Sequence, residues 1–146
     1  MKKILFLGLI TIFLYSSCER ESYWIVTELY SSGNTKVEQE YYLDGDDTIF
    51  IYQRVLSING NVYLEGALKN GERDGLWKSY FPEGTIWSET GFNEGEMDGE
   101  TKTFFPNGKL RYSGIYSNGE KDGEWRFYDS TGAFIKKASF QENKGQ

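Results

Sequence analysis

The sequence predicts an all-β protein, an antiparallel meander of β-hairpin repeats that follows an N-terminal signal segment. Two observations support this. Glycine-containing motifs return every 24 residues through the second half of the chain. The stretches between them are short and rich in aromatic and β-branched residues, as strands are. No segment after the signal shows helical periodicity, so we expect no helices there.

Three markers recur in phase. They are a Gly-Glu-x-Asp-Gly motif, a Pro-x-Gly turn and a single aromatic residue. The first motif falls within 70–78, 94–102 and 118–126. The turn falls at 82–84, 106–108 and 130–132. The aromatic residue is Phe92, Tyr116 or Phe140. Asn-Gly and Asp-Gly are strong hairpin-turn signals, and Pro-x-Gly suits a tight turn with proline at its first central position. Each repeat is therefore predicted to be two strands on either side of the Pro-x-Gly turn.

The first half of the chain is a decayed version of the same repeat. Gly60 lies one period before Gly84, and the stretch from Gly33 to Gly45 resembles the same strand and turn. We expect degenerate hairpins over 23–57, repeats over 58–142 and a tail over 143–146, because terminal repeats are atypical where they cap an edge. A separate N-terminal domain is the alternative. The predicted strands of this half lie near 23–30, 35–43, 48–57 and 62–69.

Residues 1–17 are typical of a lipoprotein signal peptide. Lys2 and Lys3 precede an apolar run that is too short for a membrane span, and small residues follow it. Cys18, the only cysteine, lies where a lipobox places the lipid-carrying residue. We therefore expect lipidation at Cys18, a polar tether over 18–22 and a location in the cell envelope, periplasmic or on the outer surface. A plain signal peptide with a chance cysteine is the alternative.

Composition narrows the functional classes. Without residues 1–17 the chain has 14 basic and 22 acidic residues, a net charge of −8, which argues against nucleic acid and anionic lipid headgroups as partners. The chain has no histidine, so Ser-His and Cys-His catalysis and the commonest metal ligand are excluded. The paired acids of the Glu-x-Asp-Gly motifs repeat with the glycines, which favours a structural role. We predict neither an enzyme nor a cofactor, and a solvated turn rather than a Ca²⁺ site at 44–47.

The pattern N-G-E-x-D-G-x-W-x-x-Y/F-x-P-x-G-x-L/I, repeated over about residues 58–142, resembles the MORN-repeat-variant family, some of whose members are labelled YwqK-type antitoxins. The chain departs from the pattern at Thr101, where Trp is expected, and at Ser130, where Pro is expected. The resemblance implies an elongated, single-layer, twisted β-meander. It also raises the alternative of an antitoxin or immunity-like protein that neutralises a toxic partner.

Strand alternation places an aromatic and basic set on one face and gives Trp77 and Trp125 the opposite parity. The set on that one face is Lys78, Tyr80, Lys102, Phe104, Arg126 and Tyr128. A single-layer sheet cannot bury both faces, and a partly exposed aromatic surface often marks a binding site. The candidate binding residues are Trp77, Lys78, Tyr80, Lys102, Phe104, Trp125, Arg126 and Tyr128. We expect a scaffold for protein–protein interaction. The same surface would also suit a carbohydrate-binding module whose ligand stacks on tryptophan, or a membrane-apposing module.

Overall fold

The computed structural model describes residues 20–141. They form one open, ten-stranded antiparallel sheet in which each strand pairs with the next along the chain. The strands are β1 Tyr23–Leu29, β2 Thr35–Asp44, β3 Asp47–Leu56, β4 Val62–Lys69, β5 Glu72–Tyr80, β6 Ile86–Asn93, β7 Glu96–Phe104, β8 Leu110–Ser117, β9 Glu120–Tyr128 and β10 Phe134–Phe140. The predicted signal peptide, Cys18 and the tail at 143–146 lie outside the described residues. Within residues 20–141 no helix is long and apolar enough to cross a bilayer.

The predicted all-β meander is confirmed, including its decayed first half. The four strands predicted there end within one residue of β1 to β4. Because β3 pairs with β4, the degenerate hairpins and the clear repeats share one continuous sheet.

Two kinds of turn alternate along the two long edges of the sheet. At one edge, two-residue turns of type I′ have positive φ at both positions, as at Asn70 (55°) and Gly71 (83°). At the other edge, the Pro-x-Gly turn closes when the Gly84 N–H donates to the Phe81 carbonyl at 2.9 Å. Pro82 therefore occupies the first central position, as the sequence predicts.

The Asp-Gly pairs of the repeat are not turns, which corrects the sequence prediction. Gly75 has φ 69° but lies inside β5, where the pairing with β4 skips two residues between Asp74 and Trp77. The Asn-Gly pair just before it has already reversed the chain. The second glycine instead supplies the positive φ of a bulge, which bends and twists the strand.

Glu94 is a strained residue at one of these turns. Its φ is 49°, at the place that Asn70 and Asn118 occupy in the neighbouring repeats. The left-handed region costs most L-residues roughly 1–2 kcal/mol, and asparagine less. We expect Glu94→Asn to raise the free energy of unfolding by about 0.5–1 kcal/mol in urea denaturation. Glu83→Asn, in a turn where φ is not positive, should give no gain. An equal gain from both variants would contradict the strain.

The strand register sorts the side chains into two faces, because directly opposite residues share a face. The packed face holds Trp77, Thr101 and Trp125. All the buried side chains of residues 20–141 lie on it, and they are Val37, Val55, Leu68, Trp77, Ser79, Thr101, Thr103 and Trp125. The opposite face, which holds Lys78, Lys102 and Arg126, is called the ladder face below.

Trp77 and Trp125 are buried because glycine lies opposite each of them. Trp77 lies over Gly66, and a Cβ at Gly66 would overlap the indole ring. Trp125 lies over Gly114 in the same way. A single layer thus covers a large side chain by laying it flat along the sheet. The indole N–H of Trp77 donates to the Ala67 carbonyl at 2.9 Å, so its one polar atom is paired.

The repeat between the two tryptophans uses a different pair. Thr101 takes the place of Trp, and Thr90 takes the place that Gly66 and Gly114 occupy. The two hydroxyl groups lie 2.8 Å apart, and Thr101 is buried. A tryptophan opposite a glycine in two repeats, and a threonine opposite a threonine in the third, fill similar volumes on the packed face.

Candidate functional site

The structure separates the eight candidate binding residues into two groups. Trp77 and Trp125 lie on the packed face, where their exposures are 2% and 1%. Neither indole offers surface to a partner, which corrects their inclusion and removes glycan stacking on these two rings. The other six share the ladder face, as strand parity predicts, and they are Lys78, Tyr80, Lys102, Phe104, Arg126 and Tyr128.

One row of directly opposite residues crosses the ladder face from β2 to β10. In order they are Glu38, Arg54, Glu65, Lys78, Glu89, Lys102, Ser113, Arg126 and Lys137. Acid and base alternate through the first six positions. Arg54 reaches both of its neighbours, Glu38 at 3.5 Å and Glu65 at 3.2 Å. Such partly exposed pairs contribute about 0–1 kcal/mol each, so the ladder sets register and surface charge more than stability.

Sequence reasoning found three of the five cations of this row, Lys78, Lys102 and Arg126, but neither the other two nor the acids. Glu65, Glu89 and Ser113 are one period apart, so the column was readable in the sequence. Which cation each acid faces depends on the bulge at Asp-Gly, which shifts the register by two residues.

Tyr80 is tied to the ladder through Glu65. Its phenol O–H donates to Glu65 Oε1 at 2.6 Å, from the strand next to that of Glu65. Burial is the largest cause that raises the pKa of Tyr80 above its ordinary value, and the hydrogen bond to the Glu65 carboxylate is the second. The folded state therefore holds the phenol proton more tightly than the unfolded chain does.

This raised pKa predicts a pH dependence of stability. The contribution is fully present below the unfolded tyrosine pKa of about 10, and it is lost as pH rises toward the folded value. The free energy of unfolding of the wild type should therefore fall more steeply above pH about 10 than that of Tyr80→Phe. Urea denaturation at a series of alkaline pH values measures both slopes. Parallel slopes would show that Tyr80 keeps an ordinary pKa.

The alternation of the ladder ends at Ser113, which replaces the glutamate of the two preceding repeats. Three cations, Lys102, Arg126 and Lys137, lie beyond the last ladder acid. Glu124 binds two of them, Arg126 at 2.7 Å and Lys137 at 2.7 Å. Hydrogen bonds from Lys137 and then Arg126 lower the pKa of Glu124, so the carboxylate stays charged.

A shallow cavity of about 330 Å³ opens on the ladder face at this break. Ser113 has a small side chain, so the space between β7 and β9 on this face is left open. The side chains around it are Glu100, Lys102, Ser113, Ile115, Glu124 and Arg126. Ile115 is 45% exposed, so apolar surface lies beside the charges. A cation row, an apolar side chain and a depression therefore coincide at this place on the ladder face.

The aromatic members of the candidate set lie toward the Pro-x-Gly edge. Tyr80, Phe104 and Tyr128 are half-buried and recur on every second strand, about 10 Å apart at the usual strand spacing. Together with the cations they form a mixed surface of the kind found at protein interfaces, which are enriched in tyrosine, phenylalanine and arginine.

Metal binding finds no support among the described residues. No group of three or more potential ligand side chains converges within residues 20–141. At the acid-rich segment 44–47, Asp44 pairs with Asp47 across the turn between β2 and β3, and both are exposed. The geometry is that of a solvated hairpin turn.

Comparison with known proteins gives one match. Residues 73–94 and 97–118 match the MORN repeat variant family. These segments contain the β5–β6 and β7–β8 hairpins almost entirely. The searches of curated proteins and of solved structures return no match. Two adjacent repeats at the centre of this sheet are therefore similar to the MORN repeat variant.

Proposed function

We propose that this chain is a non-enzymatic, lipid-anchored envelope protein that acts as a β-repeat scaffold and binds another protein through its ladder face. The observation that carries the proposal is the difference between the two faces. The packed face buries Trp77 and Trp125, whereas the ladder face presents a row of cations, half-buried aromatic side chains and a depression. MORN repeats are commonly protein- or membrane-interaction modules, which supports a scaffold role.

The break at Ser113 indicates the chemistry of the partner. Lys102 and Arg126 flank a position where the row lacks its acid, although each pairs with an acid two residues away on its own strand, Glu100 at 3.2 Å and Glu124 at 2.7 Å. A carboxylate of a partner placed there would complete the alternation, and its apolar neighbours would cover Ile115. Charge-assisted contacts of arginine with carboxylate are strong and specific in geometry. We therefore expect a partner surface that presents acidic and apolar side chains together.

Crosslinking pull-down from the native envelope, with the intact chain as bait, tests the proposal. Arg126→Glu and Lys102→Glu should each lower recovery of the partner at least about tenfold, because interface arginines commonly contribute about 2 kcal/mol or more. Lys109→Glu makes the same charge change at an exposed residue in the turn between β7 and β8, outside the strands, and should leave recovery unchanged. Equal losses from Lys109→Glu and Arg126→Glu, or no loss from either ladder-face variant, would overturn binding through the ladder face.

The identity of the captured protein separates scaffold from immunity function. A partner that kills the cell only when this chain is deleted would make the chain an immunity protein rather than a general scaffold. A partner whose activity is unaffected by the deletion supports the scaffold.

The anchor has its own test, because it lies outside the described residues. Metabolic labelling with a fatty acid should mark the wild-type chain, and Cys18→Ser should lose the label. An unlabelled wild type would overturn lipidation and leave the ladder-face proposal untouched.

A further inference from the structure

The two end strands of the sheet have opposite character. All seven residues of β1 are exposed, and its sequence Tyr-Trp-Ile-Val-Thr-Glu-Leu contains neither lysine nor proline. Ile25 is 46% exposed and Leu29 59%. An exposed, apolar edge strand that lacks protective lysine or proline is a template for pairing with another strand. At the other end, β10 carries Lys136 and Lys137 and no acid.

The two ends of the sheet also differ in charge. Residues 20–57, which hold β1 to β3, have three basic and seven acidic side chains. Residues 110–141, which hold β8 to β10, have five basic and four acidic side chains. The first end is therefore acidic and the last end slightly basic, so opposite ends of two copies attract and like ends repel.

The register shows what lies opposite when the sheet continues from one copy into the next. One unbroken row on the packed face runs from Glu28 in β1 to Lys136 in β10. A neighbouring row on the same face begins at Ile25 and ends at Ala138. With ten alternating strands, β10 of one copy lies antiparallel to β1 of the next when both copies point the same way. Continued rows then place Lys136 opposite Glu28 and, across the bulge at Thr27 of β1, Ala138 opposite Ile25.

We infer that β1 is the docking site for β10 of a second copy of this chain, so that the molecules add head to tail into one continuous antiparallel sheet. Backbone hydrogen bonds supply the pairing, as in strand addition to a sheet edge. The contact of Lys136 with Glu28 fixes its register, and the burial of Ile25 and Leu29 adds apolar contact. The interface is heterologous, so assembly is open-ended rather than a closed dimer.

Cysteine crosslinking tests the register directly. The chain from residue 18 with Cys18→Ala keeps every strand and has no other cysteine. Ile25→Cys and Ala138→Cys are introduced on separate molecules. Directly opposite residues have Cβ atoms within disulfide reach. We expect a disulfide-linked dimer from the mixture and none from either variant alone. Dimers of Ile25→Cys alone would show β1–β1 pairing of a symmetric dimer and would overturn the proposal.

A charge exchange provides the second measurement, by sedimentation of the same unlipidated chain. Glu28→Lys should weaken self-association about tenfold, because like charges opposite one another across strands repel. Lys136→Glu should do the same, and the double variant Glu28→Lys/Lys136→Glu should restore assembly. Glu28 also pairs with Lys36 of its own copy at 2.8 Å, but that pair is exposed and contributes little to folding. A wild type that stays monomeric at all concentrations, or a double variant no better than either single variant, would overturn head-to-tail assembly.

Discussion

Trp125→Ala is expected to lower the free energy of unfolding by about 3–5 kcal/mol, the range measured when large buried aromatic side chains are truncated. The indole is 1% exposed and contacts the rings of Tyr116 at 5.1 Å and Phe140 at 5.9 Å. The Lys121 ammonium lies over it at 4.5 Å. Its removal takes away the centre of the last two repeats, where no other large side chain of the described strands is buried.

Trp24→Ala is the matched control, because it makes the same change at a tryptophan that is 42% exposed. Its cost should stay within about 1 kcal/mol, as for most exposed substitutions. Urea denaturation followed by far-ultraviolet circular dichroism measures both variants without relying on indole fluorescence. Similar costs for Trp24→Ala and Trp125→Ala would contradict the assignment of the core to the packed face.

Gly114→Thr is expected to destabilise the chain by about 3 kcal/mol, at the upper end of typical overpacking. Any Cβ at residue 114 overlaps the Trp125 ring, and the threonine branch worsens the overlap. In the preceding repeat Thr90 occupies this place without strain, because its neighbour there is Thr101. The cost of a threonine at 114 should therefore depend on what residue 125 is.

A double-mutant cycle with Trp125→Thr measures that dependence. In the Trp125→Thr background, Gly114→Thr recreates the pair of the preceding repeat and should be near neutral or stabilising. The coupling between the two changes should be about 2–3 kcal/mol, within the range for residues in contact. An additive cycle, with the same cost of Gly114→Thr in both backgrounds, would show that Gly114 and Trp125 do not constrain each other.

The regular part of the fold could be predicted because the same turn and strand motifs recur in several repeats. A 24-residue period with Asn-Gly and Pro-x-Gly in fixed places leaves few alternatives to a hairpin meander. The decayed hairpins followed from Gly60 and Gly33, whose φ angles are 84° and 87°. Where Pro is replaced by Ser130, the Asp129 carboxylate accepts from the backbone N–H of Thr131 at 2.8 Å and holds the turn by another route.

The features that the sequence does not predict depend on β-bulges, which shift the register between neighbouring strands. The Asp-Gly motif has the local signature of a turn, and only the preceding Asn-Gly turn makes it a bulge inside β5. That bulge decides which residues of neighbouring strands lie opposite one another. The pairing of Thr101 with Thr90, and the facing of Glu65 with Lys78, therefore could not be derived from spacing alone.

The candidate surface was predicted in part for the same reason. Strand parity placed Lys78, Lys102 and Arg126 on one face with Tyr80, Phe104 and Tyr128, and the structure agrees. The prediction that Trp77 and Trp125 bind a partner interprets high aromatic content as exposed surface. The glycines opposite these residues show why each is buried, and that relation crosses strands.

We expect the packed face to hold the fold and the ladder face to bind a partner. Hydroxyl-radical footprinting of the intact chain, alone and with its captured partner, tests it most directly. We expect Tyr80, Phe104 and Tyr128 to be labelled in the free chain and protected in the complex, and Trp77 and Trp125 to resist labelling in both. Protection confined to packed-face aromatics such as Tyr112 and Tyr116, with Tyr80, Phe104 and Tyr128 still labelled in the complex, would contradict this division between the two faces.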